Sequence, residues 1–242
     1  MVVDTPTWRA NPDWSARLGW SLESLARLNS ASVDFVRELT REFDVEAVIN
    51  GAIGPRGDGY VVGAAMSEGE ATRYHALQAQ AFAEGGAEMV SAATMTYAAE
   101  AIGVTRAAVN AGIPVAISFT VETDGRLPSG QPLGDAIETV DAATDAAPVY
   151  FMVNCAHPTH FEHVLADAGS WKDRISGVRA NASRASHAEL DEAEALDRGN
   201  PAELADDYQR LAGFLPSLVL IGGCCGTDSE HVVAMASALA TR

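Results

Sequence analysis

The fold is decided by the stretch Leu218-Val219-Leu220-Ile221-Gly222-Gly223-Cys224-Cys225-Gly226-Thr227. Its apolar first part predicts a buried strand, and the glycines and paired cysteines that follow predict a sharp turn at the carboxyl end of that strand. A second apolar run, Tyr150–Val153, is followed in the same way by Asn154 and Cys155. All three cysteines of the chain therefore follow predicted strands. Because active sites of parallel barrels lie at the carboxyl ends of the strands, these thiols are the first candidates for chemistry.

Strand and helix patterns alternate along the whole chain, which is typical of a parallel sheet. The predicted strands are Val2–Val3, Ala47–Asn50, Glu88–Ala92, Val115–Phe119, Tyr150–Asn154, Gly177–Ala180 and Leu218–Ile221. A closed barrel of this kind needs eight strands, and the chain starts almost directly with one. We therefore predict an α/β fold, a parallel (β/α)8 TIM-type barrel that is N-terminally incomplete, with seven strands visible in the sequence. Unpaired strand edges favour association, so we also expect either a homo-oligomer that covers the two edge strands or low stability along them.

Capping residues predict where several helices begin and end. The predicted cap positions are Ser67 with Glu70, Asn200 with Pro201, Thr227 with Glu230, and Gly112. The acidic stretch His187–Asp197 has apolar residues three apart, which favours a solvated helix over an interaction tail.

Length and charge limit the classes of protein that this sequence can encode. A chain of 242 residues with 48% hydrophobic residues predicts a single barrel domain over residues 1–242. The net charge of −17 disfavours nucleic acid and anionic membrane surfaces as partners. We find no apolar run of membrane-spanning length and no secretory signal pattern, and we therefore expect a cytoplasmic protein.

The three cysteines are interpreted as ligands of one zinc ion. Their odd number and the adjacency of Cys224 and Cys225 argue against a disulfide framework, and a reducing compartment leaves thiols free. Three thiolates without an obvious fourth protein ligand are typical of a catalytic zinc site, in which water or substrate takes the fourth position. We predict that Cys155, Cys224 and Cys225 hold Zn²⁺. The alternative, cysteine as a small buried hydrophobe, suits one strand-end cysteine better than three.

Two neighbouring patterns allow other interpretations. His157, His160 and His163 follow Cys155 closely and offer a competing Cys/His site, although Pro158 predicts a helix start that directs two of them partly to solvent. The loop at residues 51–59 resembles a phosphate cradle superficially. It lacks the Gly-x-Gly-x-x-Gly spacing, so a plain βα loop is predicted there.

Asn154-Cys155 and Gly222-Gly223-Cys224-Cys225 resemble the zinc motifs of the homocysteine S-methyltransferase family, which end the sixth and eighth strands of its barrel. The resemblance extends along nearly the whole chain. The further stretches that are similar to the family are Thr5–Ala10, Gly51–Gly57, Ser118–Thr120 and Arg179–Ala182.

The resemblance implies methyl transfer to the thiol of homocysteine, giving methionine as in methionine biosynthesis, or to a related thiol. It implies a zinc-bound substrate thiolate as the nucleophile, with no protein general base. The partners would be this small-molecule thiol and a methyl donor. S-methylmethionine or S-adenosylmethionine would suit an acidic protein, while betaine and a corrinoid carrier remain open. The residues assigned to substrate binding are Thr7, Glu122, Asn154, Asn181 and Gly223.

The sequence departs from the family at both acids that hold the amino group of homocysteine. The first-strand Asp-Gly-Gly has no counterpart, and Ala93-Thr94 replaces the Glu-Thr of the fourth strand. Glu122, just beyond the fifth strand, is placed to compensate. Asn154 and Asn181 either bind substrate or cap a turn. Two alternatives therefore stay open: a zinc-binding barrel fragment without methyltransferase activity, and a metal-dependent hydrolase built on the histidines.

Overall fold

Strands and helices alternate in a computed structural model that describes residues 1–43, 46–166 and 169–240. Within these residues the strands are β1 (Val2–Asp4), β2 (Val48–Ile53), β3 (Met89–Met95), β4 (Val115–Phe119), β5 (Tyr150–Asn154), β6 (Ile175–Ala180) and β7 (Leu220–Gly223). The helices are α1 (Pro12–Arg17), α2 (Leu22–Arg41), α3 (Glu68–Glu84), α4 (Ala98–Ala111), α5 (Leu133–Thr144), α6 (Glu162–Ala166), α7 (His187–Asp191), α8 (Pro201–Phe214) and α9 (Ser229–Leu239). None of these helices is both long enough and apolar enough to cross a membrane.

One unit of the chain consists of residues 1–118 and 139–149. In it β1 pairs in parallel with β2, where Val2 lies opposite Val48, and β2 pairs in parallel with β3, where Asn50 lies opposite Met89. The Val90 N–H donates to the Pro114 carbonyl at 2.9 Å, next to the start of β4. Apart from Val48, all residues of β2 are buried, as expected for a parallel strand covered on both faces.

The second unit consists of residues 119–138 and 150–242. Its strands β5, β6 and β7 pair in parallel, with Asn154 opposite Arg179 and Arg179 opposite Gly222. Gly177 permits this packing, because a Cβ atom there would lie 2.7 Å from the Met152 Cγ. The register brings the carboxyl ends of β5 and β7 to the same edge, on either side of β6. The prediction of a single domain over the whole chain stays a prediction.

A buried tyrosine connects β6 and β7 through hydrogen bonds to the backbone of both strands. The Tyr208 hydroxyl, on α8, accepts a hydrogen bond from the Ala180 N–H at 3.0 Å. It lies 3.2 Å from the Val178 carbonyl and 2.6 Å from the Gly222 carbonyl, to which it can donate. Burial raises the pKa of Tyr208 above its usual range, so the hydroxyl keeps its proton at neutral pH.

Replacing Tyr208 by phenylalanine is expected to lower the free energy of unfolding by about 1–3 kcal/mol, because buried backbone groups lose their hydrogen-bond partner. Urea unfolding measures the change. Tyr74→Phe is the matched control, since the Tyr74 hydroxyl accepts only one long hydrogen bond, from the Asp13 N–H at 3.5 Å. Equal losses in the two variants would show that the Tyr208 hydroxyl does not fasten the strands.

Most local predictions are confirmed. The strands at Val115–Phe119 and Tyr150–Asn154 have the predicted bounds, and the other five differ by a few residues. Ser67 and Glu70 form a capping box, Asn200 caps α8, and Gly112 ends α4 with a φ of 71°. These features depend on neighbouring residues alone, which is why the sequence indicates them.

Two helix predictions are wrong. The cap of α9 is Asp228, with His231 as its partner in the box, because the Thr227 hydroxyl instead donates to the Cys224 carbonyl. The acidic stretch is helical only over His187–Asp191. Its apolar face finds no core to pack against, since Leu196 is 73% exposed, and tertiary packing provides most of the stability of a short helix. Apart from the buried His187 and the half-buried Leu190, the stretch is nevertheless exposed, as predicted.

Candidate metal centre

Three sulfur atoms meet at the carboxyl ends of β5 and β7. The side chains of Cys155, Cys224 and Cys225 place these atoms within 4.8 Å of one another. The Cys155 and Cys225 sulfurs lie 3.9 Å apart. Cys155 is buried, Cys224 is half-buried and Cys225 is exposed. A ligand therefore reaches the cluster from the side of Cys225.

The structure joins Cys155 and Cys224 in a disulfide, and Cys225 lies outside that bond. This differs from the expectation of three free thiols. The physical reason is proximity, because the turns that follow β5 and β7 place the two Cα atoms 5.5 Å apart. A disulfide provides no thiolate, so this pair must be reduced before it can bind a metal ion.

In the reduced state the cluster fits a zinc ion. With Zn–S bonds of about 2.3 Å, tetrahedral ligands place their sulfurs about 3.8 Å apart, close to the separation of Cys155 and Cys225. Thiolates are soft ligands that suit zinc. Among the described residues, no other three His, Cys, Asp or Glu side chains bring their ligand atoms within 4.8 Å. Three ligands on a partly open cluster leave the fourth position for a substrate.

The backbone at Cys155 is strained, and hydrogen bonds to its carbonyl hold it. Cys155 has a φ of 54°, in the left-handed region, which costs a non-glycine residue about 1–2 kcal/mol. Its carbonyl oxygen accepts from His187 Nε2 at 2.6 Å, from Asn181 Nδ2 at 3.0 Å and from the Thr120 hydroxyl at 3.4 Å. Strain of this kind persists where the surroundings determine the conformation, and it is common at functional sites.

Asn181 connects the two cysteine-bearing loops. Its Nδ2 donates to the Cys155 carbonyl, and its Oδ1 accepts from the Cys225 N–H at 3.1 Å. The side chain is only 2% exposed. The amide therefore sets the position of Cys155 relative to Cys225. The substrate-binding role of Asn181 stays a prediction, and both polar atoms of its amide already have a partner in the protein.

Gly223 leaves room for the turn that presents the paired cysteines. A Cβ atom on Gly223 would lie 2.0 Å from Thr227 Oγ1, the atom that donates to the Cys224 carbonyl at 2.7 Å. Gly223→Ala is therefore expected to displace Thr227 and to cost about 1–3 kcal/mol of stability through overpacking, with loss of zinc binding. Thermal unfolding and metal analysis measure the two effects.

The adjacent glycine provides the control for that prediction. A Cβ atom on Gly222 would meet nothing closer than the Arg179 Cγ at 3.4 Å, which is an ordinary contact. Gly222→Ala should therefore keep both stability and zinc. Equal effects of the two substitutions would contradict the assigned role of Gly223.

The other residues predicted to bind substrate lie in different places. Thr7 is buried in the first unit, where its hydroxyl donates to the Ala52 carbonyl at 2.9 Å. Asn154 ends β5 and is buried beside Cys155. Glu122 follows β4, and its Oε1 lies 3.2 Å from His187 Nδ1, with 36% of the side chain exposed. Through His187, Glu122 is thus connected to the Cys155 carbonyl.

The histidines after Cys155 do not join the sulfur cluster among the described residues. His157 is buried, with Nδ1 2.9 Å from the Thr159 hydroxyl and Nε2 3.4 Å from Asp207 Oδ2. Burial lowers the pKa of His157 to about 3, so the ring is neutral at pH 7. His160 Nε2 donates to the Arg184 carbonyl at 2.9 Å. This arrangement does not favour the Cys/His site.

One contributor to the site, His187, was not predicted. From the sequence, His187 was expected only at the start of an acidic helix. The pattern Ser186 with Glu189 is a capping box, which would have placed His187 at the first position of a helix after the β6 loop. No local pattern indicates that its ring reaches the Cys155 carbonyl, since that contact joins residues 32 positions apart.

The predicted plain loop after β2 is confirmed. Residues 54–66 follow the strand without regular structure, and the next helix begins at Glu68. The Arg56 N–H donates to the buried Glu100 Oε1 at 2.7 Å. A backbone N–H that faces a carboxylate is not available to a phosphate group.

Comparisons with known proteins identify a matching family and a relative of this chain. A family model described as homocysteine S-methyltransferase matches residues 1–239. A methionine synthase of Mycobacterium leprae (strain TN) is 31% identical over an alignment of 171 residues that covers 65% of this chain and 13% of that protein. This chain thus matches only a small part of the length of that relative.

Solved structures of the homocysteine methyltransferase MmuM from Escherichia coli are similar in fold. The metallated form has a TM-score of 0.75 at 18% identity, covering 98% of this chain and 79% of that chain. The oxidized form has a TM-score of 0.76 at 19% identity, covering 98% and 78%. This likeness confirms the predicted α/β fold of TIM-barrel type, and seven parallel strands among the described residues agree with the predicted number.

Proposed function

The chain belongs to the homocysteine S-methyltransferase family, and on that premise we propose that it methylates the thiol of homocysteine, giving methionine, or of a related small molecule. Cys155, Cys224 and Cys225 would hold one Zn²⁺ for this reaction. The observation that carries the proposal is the meeting of all three cysteine sulfurs of the chain within 4.8 Å, on a side that a substrate can reach. The family match over residues 1–239 supports the same reaction class.

The proposed reaction needs an acceptor sulfur in its thiolate form. When bound, zinc lowers the pKa of a coordinated thiol, and the proton leaves to solvent. The acceptor sulfur then forms a bond to the methyl carbon of the donor, while the bond from that carbon to the donor breaks and its electron pair stays on the donor. The protein contributes orientation of the two substrates rather than a general base, and orientation alone can supply several kcal/mol, up to about 7–11 in the best oriented intramolecular reactions.

A sulfonium compound is the donor that we propose. It carries a positive charge that the reaction removes, since the donor leaves as a neutral thioether. The net charge of −17 favours the approach of a cation to this protein. S-methylmethionine and S-adenosylmethionine are the candidates to compare with betaine and a methylated corrinoid.

We further propose that Glu122 receives the ammonium group of homocysteine. Its carboxylate is partly exposed and is fixed by His187, while the loop that carries it is closed by a hydrogen bond from the Glu122 N–H to the Arg126 carbonyl at 2.8 Å. Asn154, Thr7 and Gly223 remain proposed contacts of the substrates.

Glu122→Gln is expected to remove the preference for homocysteine over 4-mercaptobutyrate, a thiol of the same length without the amino group. Hydrogen bonds to charged groups contribute about 1.5–3 kcal/mol, so the ratio of the two kcat/KM values should fall by about 10-fold to 100-fold. Competition between the two thiols in one reaction measures this ratio directly. An unchanged ratio would show that another group binds the ammonium.

The decisive experiment measures zinc and methyl transfer on the same preparation. The chain is reduced with a phosphine, loaded with zinc, freed of excess metal and incubated with homocysteine and each donor, and methionine is measured. We expect about one zinc per chain and methionine formation with a sulfonium donor. Removal of zinc by a chelator should stop the reaction, and added zinc should restore it.

The same experiment separates the alternatives. Stoichiometric zinc without product from any donor would favour a zinc-binding fragment without methyltransferase activity. Absence of zinc from the fully reduced chain would overturn the metal assignment. A cytoplasmic location and self-association also remain proposals, and light scattering at several protein concentrations tests the second.

A further inference from the structure

We propose that His187 is a positioning residue of the metal centre, which holds the peptide of Cys155 in the conformation that directs its sulfur toward Cys224 and Cys225. This inference rests on the proposed function in one respect, namely that the three cysteines bind zinc. It concerns a side chain that acts on the metal centre through the backbone of Cys155.

The ring of His187 is held firmly on both sides. Its Nε2 donates to the Cys155 carbonyl at 2.6 Å, and its Nδ1 lies 3.2 Å from Glu122 Oε1. The side chain is only 7% exposed. It projects from the first turn of α7, whose start is fixed by reciprocal hydrogen bonds between Ser186 and Glu189. The start of α7, the Glu122 carboxylate and the Cys155 carbonyl together fix the orientation of the ring.

His187 affects the metal centre through its hydrogen bond to the Cys155 carbonyl. Cys155 has a left-handed φ of 54°, and relaxation to a negative φ requires rotation about its N–Cα bond, which would swing its carbonyl group away from its hydrogen-bond donors. Such rotation would also move the sulfur, which is attached to the same Cα atom. Of the other donors to this carbonyl, Thr120 lies at 3.4 Å and Asn181 at 3.0 Å. His187 makes the shortest of the three contacts, so we expect its loss to weaken the hold on this carbonyl more than the loss of Thr120 would.

A side chain that positions a metal ligand in this way affects metal affinity without binding the metal itself. Side chains that orient the ligands of a metal ion typically change affinity by about 10-fold to 100-fold when they are replaced. A histidine that only stabilised the fold would change the unfolding free energy and leave the metal site of the folded protein unchanged. The two roles therefore differ in a measurable way.

Two amide variants test the proposal in the reduced chain of 242 residues. The amide nitrogen of glutamine can take the place of Nε2 and donate to the Cys155 carbonyl, whereas asparagine is one methylene shorter and reaches only the position of Nδ1. We expect His187→Asn to weaken zinc binding by about 10-fold to 100-fold and His187→Gln to stay within about threefold of the original chain. Competition with a chromophoric chelator measures zinc affinity. The absorption bands of the Co²⁺-loaded chain report the geometry of the thiolates, and we expect them to change in His187→Asn and to return in His187→Gln.

His75→Asn is the matched control. His75 is also a buried histidine paired with a carboxylate, at 3.0 Å from Glu100, but it belongs to the first unit. The His75→Asn variant should have a lower free energy of unfolding, while its zinc affinity and its Co²⁺ absorption spectrum should equal those of the original chain. Unchanged zinc affinity in folded His187→Asn, or an equal loss in His75→Asn, would overturn the inference alone. A reduced original chain that binds no zinc would overturn the proposed function and this inference with it.

A measurement on the unmodified chain covers the case in which His187→Asn does not fold. In the chain labelled with ¹⁵N-histidine, the His187 Nε2 proton should be protected from solvent, and its signal should shift when zinc binds to Cys155. The signal is assigned by its absence in His187→Gln. A signal that zinc does not move would overturn the proposal.

Discussion

Cys225→Ser is expected to lower zinc occupancy from about one ion per chain to below about a tenth and to abolish methyl transfer, because two thiolates cannot form the three-ligand site. The loss of zinc affinity should exceed the 10-fold to 100-fold effect that is typical of residues that only orient a metal ligand, since a direct ligand is removed. Cys225 is exposed and lies outside the disulfide, so the fold should remain intact. Metal analysis after gel filtration, together with thermal unfolding, measures both properties.

Val219→Ser provides the control for this substitution. Val219 precedes β7, is 86% exposed and stands six positions before Cys225, so a serine there changes a neighbouring surface without touching the sulfur cluster. It should retain zinc and activity. Full zinc occupancy in Cys225→Ser would remove Cys225 from the site and leave only two cysteine ligands.

Asn181→Ala is expected to lower both zinc affinity and stability. The substitution removes two buried hydrogen bonds, to the Cys155 carbonyl and from the Cys225 N–H, and should lower the unfolding free energy by about 2 kcal/mol at roughly 1 kcal/mol for each bond. Zinc affinity should fall by about 10-fold to 100-fold, because the two cysteine loops lose the side chain that connects them. Urea unfolding and chelator competition give the two numbers independently.

Asn29→Ala separates the effect on the metal from the effect on the fold. Asn29 is also fully buried, and its Nδ2 donates to the Ala10 and Leu25 carbonyls at 3.1 Å and 2.9 Å, but it belongs to the first unit. The control should lose a similar amount of stability and keep its zinc affinity. If zinc affinity falls equally in both variants, Asn181 acts through general stability and not through the cysteine loops.

The local sequence predicts the strands and the ends that carry the cysteines. Apolar runs such as Tyr150–Asn154 form strands of the predicted length because strand formation there depends on neighbouring residues and on burial of both faces. The predicted helix over the whole of His187–Asp197 was wrong for the complementary reason. A short helix needs a surface to pack against, and the position of such a surface is a property of the whole fold.

The sequence by itself determined the residue types of the candidate site and the strand ends at which they stand. The three thiols lie in the motifs Asn154-Cys155 and Gly222-Gly223-Cys224-Cys225. The second motif also contains Gly223, at a position of the turn where a Cβ atom would not fit. These are local properties, because a strand, the turn after it and the side chains of that turn lie next to each other in the chain.

Only the tertiary structure decided how these groups are held together. The contacts of the Cys155 carbonyl with Asn181 and His187 span 26 and 32 positions, and the contact of His187 with Glu122 spans 65. The partners of the Cys155 carbonyl meet because β5, β6 and β7 pair in a fixed parallel register, in which a shift of one residue would turn every side chain to the opposite face. The register is set by the packing of the whole sheet and leaves no local pattern, which is why His187 could be found only in the folded chain.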